Sequence, residues 1–483
     1  MEMGKRVRKP HAQGCARHIW DVARPSLGVH AEGEMKKFDL KTVADLQAAL
    51  ARVGGRLPLS DAFGVLGEPV EVGGRRLANR FVVQPMEGVD AADDGGVPSE
   101  LTFRRYRRFA SGGSALIWFE SAAVVPEGRS GPRQLMLTER NLDVWRRLTE
   151  ETRCSAQAEG CGEVTLILQL THSGRYSRPQ GRPAPVVAQC NPVLEAAMPE
   201  MPQAEPVSDD ALARLEEAFV ATAALAERAG FDGVDMKAVH GYLVAELLGA
   251  RGREGRYGGA YENRTRFLKN CLVGMRERLR KETWVVSRLT VLEPSDYPCG
   301  WGVVEREGAW QPELSEPLRL VGELSGMGVP LHNISMGYPR FQPHMNRPYD
   351  RPLAGCPPPP EEPLRGVVRF QEAVRAVRRA AGGAPVITAG LSWLQHLAPY
   401  VAAGLVREGW CDLVGFGRSA FAYPDAPKDI LERGAMVPEK CCVTCSMCSQ
   451  IMKDLVGRGG CVVRDSALYA PEYRKGREAA NRG

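Results

Sequence analysis

An α/β fold, built as a (β/α)8 TIM barrel with a C-terminal cysteine-rich extension, is the architecture this sequence predicts, and three observations carry it. Eight short apolar runs recur at 81–84, 115–120, 164–170, 233–236, 284–289, 331–336, 385–389 and 412–416. They are continuous rather than alternating, as strands buried on both faces of a parallel sheet are. Helix-like stretches separate them, and about eight strand–helix repeats suit a closed barrel better than an open doubly wound sheet. Near the C-terminus, Cys442, Cys445 and Cys448 are spaced C-x2-C-x2-C, with Cys461 following after a twelve-residue gap.

The elements follow in order. Residues 1–34 are basic and irregular and lack the apolar core of a signal peptide, so they are expected to be a disordered arm, with Met35 the more natural start. Within 35–56, the run after Phe38 has helical periodicity and ends at Gly54 and Gly55. Residues 57–435 hold the barrel repeats, and 436–483 form the cysteine-rich segment and tail. The clearest barrel helix spans 208–230, where Leu212, Leu215, Phe219, Ala223 and Ala226 form one stripe. Ser208 is its N-cap, Asp209 and Asp210 favour its positive end, and Gly230 stops it. Further helices are expected over 262–281 and 364–381. Two long Pro-rich connections, 176–207 and 337–363, leave the C-terminal ends of the third and sixth strands. Loops that long are usually functional, and in a barrel that end is the catalytic face.

Composition narrows the function. The chain has 483 residues, 44% hydrophobic and 25% charged, with a net charge of +5. That balance, without basic blocks interleaved with aromatics, argues against a nucleic-acid partner. No apolar run approaches the roughly 20 residues needed to span a bilayer. Thirteen cysteines without a secretory signal imply a reducing compartment, so a cytoplasmic location is expected. No G-x-G-x-x-G opens a strand–helix unit, which argues against a Rossmann domain.

Three clustered thiolates with a distant fourth are the pattern of [4Fe–4S] ligation, giving Cys442, Cys445, Cys448 and Cys461 as candidate ligands. Structural zinc, which more often uses two equal C-x2-C pairs, is the alternative. Cys441 adjoins the first ligand and could replace it. A cluster moves single electrons, so the barrel should hold a group that exchanges them.

The strand ends carry the remaining motifs. The first strand reads Asn79-Arg80-Phe81-Val82-Val83-Gln84-Pro85-Met86, and the third ends Gln169-Leu170-Thr171-His172-Ser173-Gly174-Arg175. The fourth ends Lys237-Ala238-Val239-His240-Gly241-Tyr242-Leu243, with Tyr257-Gly258-Gly259 and Glu262-Asn263-Arg264 beyond it. The fifth ends Ser287-Arg288-Leu289 and the eighth Gly415-Phe416-Gly417-Arg418. Together, from about 57 to 465, these motifs resemble the old yellow enzyme family of FMN-dependent oxidoreductases. The cysteine spacing further resembles its iron–sulfur branch, which includes trimethylamine dehydrogenase and 2,4-dienoyl-CoA reductase, and is closer to the former.

The resemblance implies FMN, NAD(P)H as reductant, and a small-molecule substrate. It places Pro85, Met86, Glu87, Gln169, Arg288, Gly390, Gly417 and Arg418 at the flavin. Gln169 would donate to and accept from the pyrimidine edge, and Arg288 would lie where negative charge accumulates on reduction. Gly390 and Gly417 would let backbone approach a phosphate, with Arg418 adding a charge. Lys237 and His240 would bind a substrate oxygen, and Tyr242 would deliver a proton. Tyr257 is expected to be packing, and His172 a rim residue without a role.

Two departures stand out: Lys237 where the family commonly has His, and Glu87 where it commonly has Thr or Cys. A carboxylate there would oppose flavin reduction unless Lys237 or Arg288 neutralises it, and it could instead bind an amine. In the larger relatives, nucleotide-binding domains follow the cluster, whereas here 22 residues follow Cys461. NAD(P)H is therefore expected to act directly at the barrel mouth, or a separate electron-transfer protein to carry electrons. Reduction of an activated C=C bond is the leading expectation, and oxidative attack on amines the alternative. A carrier that only holds flavin and cluster, and a zinc-stapled barrel, complete the range. A homo-oligomer is left open.

Overall fold

The computed structural model describes residues 38–92 and 95–482, so the 1–34 arm lies outside the described residues. Eight parallel strands form the centre: β1 Phe81–Val83, β2 Leu116–Ala123, β3 Thr165–Thr171, β4 Gly233–Met236, β5 Trp284–Val286 with Arg288–Thr290, β6 His332–Ser335, β7 Val386–Thr388 and β8 Leu413–Phe416. All eight predicted apolar runs are strands, within a few residues at their ends.

Closure occurs through β5. The sheet's two outer stretches are the halves of this one strand, the first paired with β4 and the second with β6. Ser287 interrupts the ladder, where its hydroxyl donates to Met236 O at 2.8 Å and Arg288 N donates to the Asp235 carboxylate at 2.5 Å. Side chains thus satisfy backbone that the ladder leaves free. The strands are buried throughout, which explains their unbroken apolar character.

The outer helices are α1 Glu100–Ser111, α2 Leu142–Ala158, α3 Asp209–Arg228, α4 Arg266–Arg278, α5 Ser315–Gly326, α6 Pro363–Ala380, α7 Ala398–Arg407 and α8 Ala426–Arg433. In α3 the Ser208 hydroxyl accepts from Ala211 N at 3.2 Å, and all five predicted stripe residues are buried. The N-terminal helix is Val43–Arg52, held by a Thr42–Asp45 capping box. Among the described residues no helix is long and apolar enough to cross a membrane.

β2 runs past its predicted end. Its register with β3 shifts between Phe119 and Ala122, so Glu120 and Ser121 sit in an irregularity near the catalytic face. The C-terminal segment contributes α9 Met447–Asp454 and α10 Ser466–Arg482. They dock through a small apolar cluster of Ile451, Val462 and Tyr469 against Val89, just beyond β1. Arg133 fastens the same junction, donating to Val89 O at 3.0 Å and Gly457 O at 2.8 Å.

Candidate active site at the barrel mouth

The C-terminal ends of β1, β2 and β4 bring Glu87, Ser121, Lys237 and Tyr242 into one buried group. Lys237 Nζ lies 2.7 Å from Glu87 Oε1 and donates to Ser121 Oγ at 3.2 Å. Ser121 itself donates to Glu87 Oε1 at 2.5 Å, and Tyr242 OH approaches the same oxygen at 3.5 Å. The Lys237 ammonium also stands 3.7 Å from the centre of the Tyr242 ring. Burial alone would raise the Glu87 carboxyl, but the Lys237 charge and its hydrogen bonds hold it below the usual value. Burial lowers Lys237 despite Glu87, and raises Tyr242, which therefore keeps its proton. Glu87 Oε2 is buried without a partner.

His240 reaches the site through strained backbone. Its φ is +71° and that of Gly241 is +68°, a left-handed pair that a non-glycine residue adopts at roughly 1–2 kcal/mol. Glu293 holds the turn by accepting from Gly241 N at 2.9 Å. A Cβ on Gly241 would come within 2.5 Å of the Tyr338 ring, so no side chain fits. His240 Nε2 lies 2.9 Å from Ser335 Oγ. Burial, then the charges of Arg288 and Lys237, push His240 far below its usual range, so its ring is neutral.

The other expected flavin residues ring the mouth. Gln169 Nε2 is committed to Asp235 at 2.6 Å, so its carbonyl oxygen is the part left for a ligand. Trp118 Nε1 shares that carboxylate at 2.8 Å, and burial raises it to about 6. Arg288 forms no ion pair among the described residues, and its buried Nε has no partner. Burial lowers it to about 10, which leaves it charged. Gln84, part of the first-strand motif but given no role there, donates nothing from its buried Nε2, while its oxygen accepts from Asn333 at 2.9 Å. Pro85 is buried and Met86 partly so. A Cβ on Gly417 would stand 3.2 Å from Met86 Sδ, so that glycine also makes room for methionine. Gly390 has φ +80°.

Arg418 donates from Nη2 to Pro348 O at 2.8 Å and keeps Nη1 unpartnered. Arg347, unmarked in the sequence, is its neighbour. It is lowered to about 10 by burial and then by Arg418, and its Nη1 is also buried without a partner. These free guanidinium nitrogens, with the free Gln84 amide nitrogen and Gly390, fit a phosphorylated flavin. Bound there, it would lie among Gln84, Gln169, Arg288, Arg347 and Arg418.

Two expectations are refined. His172 is not a rim residue: it is 1% exposed, and its Nδ1 accepts from Gly174 N at 3.0 Å. Tyr257 packs against Phe267, with ring centres 6.0 Å apart, as a structural residue does. Sequence reasoning missed Ser121, Asp235, Glu293 and Arg347. Asp235 alone left a signal, a charge inside an otherwise apolar strand.

Cys442, Cys445, Cys448 and Cys461 line one cavity with Phe421, Val462, Val463 and Arg418, enclosing about 340 Å³ of space partly open to solvent. Cys441 is absent from the lining and its thiol points to Val437 O at 3.5 Å. Among the described residues no three His, Cys, Asp or Glu side chains are arranged to hold a metal ion. The four thiols border a shared space without converging on one point. Burial raises Cys442 to about 12 and Cys461 to about 11, so ionisation there requires a positive centre.

Residues 65–305 match the NADH:flavin oxidoreductase / NADH oxidase family. The chain belongs to this family. One family relative, the NADPH dehydrogenase of Clostridium acetobutylicum, is 29% identical over 278 residues, covering 55% of this chain and 74% of that protein. The fold matches a 2-naphthoyl-CoA reductase complex with TM-score 0.64 and 20% identity, over 86% of this chain and 58% of that one. It also matches histamine dehydrogenase from Rhizobium sp. 4-9 with TM-score 0.59 and 19% identity, over 83% and 50%. The chain thus spans about half of each of these two structural neighbours. Membership makes it an NAD(P)H:flavin oxidoreductase with FMN as cofactor, on an eight-stranded barrel.

Proposed function

We propose that this oxidoreductase reduces an activated C=C bond with hydride drawn from NAD(P)H. The observation that supports this most is the juxtaposition of Tyr242, protonated and buried, with Lys237 and neutral His240 at the mouth. When bound, FMN supplies the hydride chemistry. His240 and Lys237 would hold a substrate carbonyl oxygen and draw density from the conjugated alkene. Tyr242 would pass its phenolic proton to the α-carbon, and the Lys237 ammonium beside its ring would stabilise the phenolate left behind. Glu87, neutralised by Lys237, would not impose a net negative charge on the reduced flavin. Tyr242→Phe should lower turnover of an enone by about 10²-fold or more while flavin stays bound. Unchanged turnover would refute the assignment.

A [4Fe–4S] cluster at Cys442, Cys445, Cys448 and Cys461 is part of the proposal, on their C-x2-C-x2-C and distant-fourth spacing and their common cavity, and binding it would draw the four thiols together. Iron and sulfide analysis of anaerobically purified protein, with zinc measured alongside, tests it. Electrons would then pass to or from a separate electron-transfer protein. One observation favours a second reading, oxidation of amines: the unpartnered Glu87 Oε2 could receive an ammonium group. An amine substrate would bleach the flavin anaerobically without NAD(P)H, whereas an enone would not.

A further inference from the structure

Above the proton-donating phenol the site ends in positive charge. The Tyr176 ring lies 5.8 Å from that of Tyr242, and the Arg340 guanidinium lies 5.1 Å over the far ring. Arg340 makes no ion pair among the described residues, and it is exposed at the start of the long loop after β6. Arg178, on the long loop after β3, is next to it: the Arg340 charge adds to burial in lowering Arg178. Arg178 N donates to Arg129 O at 2.8 Å, which brings a third guanidinium to the rim. Arg129 is bonded only to the carbonyls of Pro132 and Pro179, at 3.1 and 3.2 Å, and its Nε is unpartnered. Arg178 has one carboxylate, that of the exposed Glu200 at 3.1 Å, and its Nε is also buried and free.

Three arginines, one on each of the loops after β2, β3 and β6, therefore meet at the barrel mouth with a single carboxylate, Glu200 on Arg178, among them. Two are half-buried, where an uncompensated charge is costly. The excess is not directed at the flavin site, whose own cations, Arg288, Arg347 and Arg418, lie deeper. Its field does reach the reacting groups, since Arg340 lowers both Glu87 and Tyr242. A planar guanidinium over an aromatic ring is suited to a carboxylate, which it grips with two parallel hydrogen bonds.

We propose that the substrate is an unsaturated carbonyl compound carrying a carboxylate, held by Arg340 and Arg178 one aromatic ring away from the Tyr242 phenol. This rests on the barrel-mouth reading above. It explains why both Pro-rich loops carry an arginine near their start, and it disfavours cationic amines, which the same rim repels.

The test uses FMN-loaded enzyme titrated with 4-hydroxybenzoate and with its neutral isostere 4-hydroxybenzamide, binding being read from the flavin absorbance. The acid should bind at least about ten-fold more tightly at low salt, with the preference shrinking as ionic strength rises. Arg340→Gln combined with Arg178→Gln should bring the two affinities together by weakening the acid alone. Arg340→Lys should retain part of the preference, because it keeps the charge but loses the fork. Equal affinities in the wild type, or a preference that survives both glutamines, overturns the carboxylate subsite and leaves the mouth as the ligand site. If neither compound perturbs a bound flavin, the mouth reading fails and this inference with it.

Discussion

Glu87 and Glu120 sit on either side of one backbone amide, yet their carboxyls are driven in opposite directions. Glu87 has a cation to itself, Lys237, plus the Ser121 hydroxyl, and is held below its usual range against the penalty of burial. Glu120 must share Arg105, which also donates to both oxygens of Asp90 at 2.5 and 2.9 Å. Its remaining donors, Gly88 N at 2.8 Å and Tyr106 OH at 3.3 Å, are neutral. Burial and the nearby Asp90 raise it to about 7 despite Arg105. Equal burial thus yields a fixed anion in one case and a group half-protonated near neutrality in the other. The deciding quantity is cations per carboxylate.

Removing the shared cation is the harshest way to break this contrast. Arg105→Met leaves Asp90 and Glu120 facing each other in the interior, and should cost about 3–5 kcal/mol of unfolding free energy in denaturant titrations. Lys237→Met should cost less, about 2–3 kcal/mol, because Ser121 and Tyr242 still donate to Glu87. Adding Glu87→Gln to Lys237→Met should recover more than half of that loss, a coupling a double-mutant cycle reads directly.

The pH profile separates the two acids by sign. Glu120, raised when folded, contributes stability that is complete below the usual 4.5 and falls away as pH climbs to about 7. Glu87, depressed when folded, contributes stability that is present above the usual 4.5 and is lost on acidification. Unfolding free energies between pH 3 and 8 should therefore lose their neutral-side decline in Glu120→Gln, and part of their acid-side fall in Glu87→Gln. The mildest change, Ser121→Ala, should cost about 1 kcal/mol and leave the sign of both shifts intact.

Much of the frame could be read from sequence because parallel strands announce themselves as unbroken apolar runs, and all eight did. The closure through a strand split at Ser287 could not, since it depends on the Asp235 side chain replacing ladder bonds. Within the site, residues on strand-end motifs were legible, and the pairing of Lys237 with Glu87 was anticipated as one way to neutralise the acid. Ser121 stayed hidden because only the β2 irregularity turns it toward Glu87. Spacing alone could not separate Cys441 from Cys442, because it does not tell which way adjacent thiols face: Cys442 lines the cavity and Cys441 faces Val437 O.

Asp350 merits a final consequence. It accepts from Trp393 Nε1 at 2.6 Å, from Phe38 N at 3.3 Å and from the Thr444 hydroxyl at 3.2 Å, and its own amide donates to that hydroxyl at 3.3 Å. Thr444 and Ser446 are both left-handed, at φ +46° and +59°, a contour the cysteine loop would not keep unaided. The loop is therefore held by segments distant in sequence, from the start of the described chain to the turn after β7. One carboxylate thus ties the shape of the cysteine loop to the barrel's own connections, so a change at Asp350 is felt in the tail as well as in the cylinder.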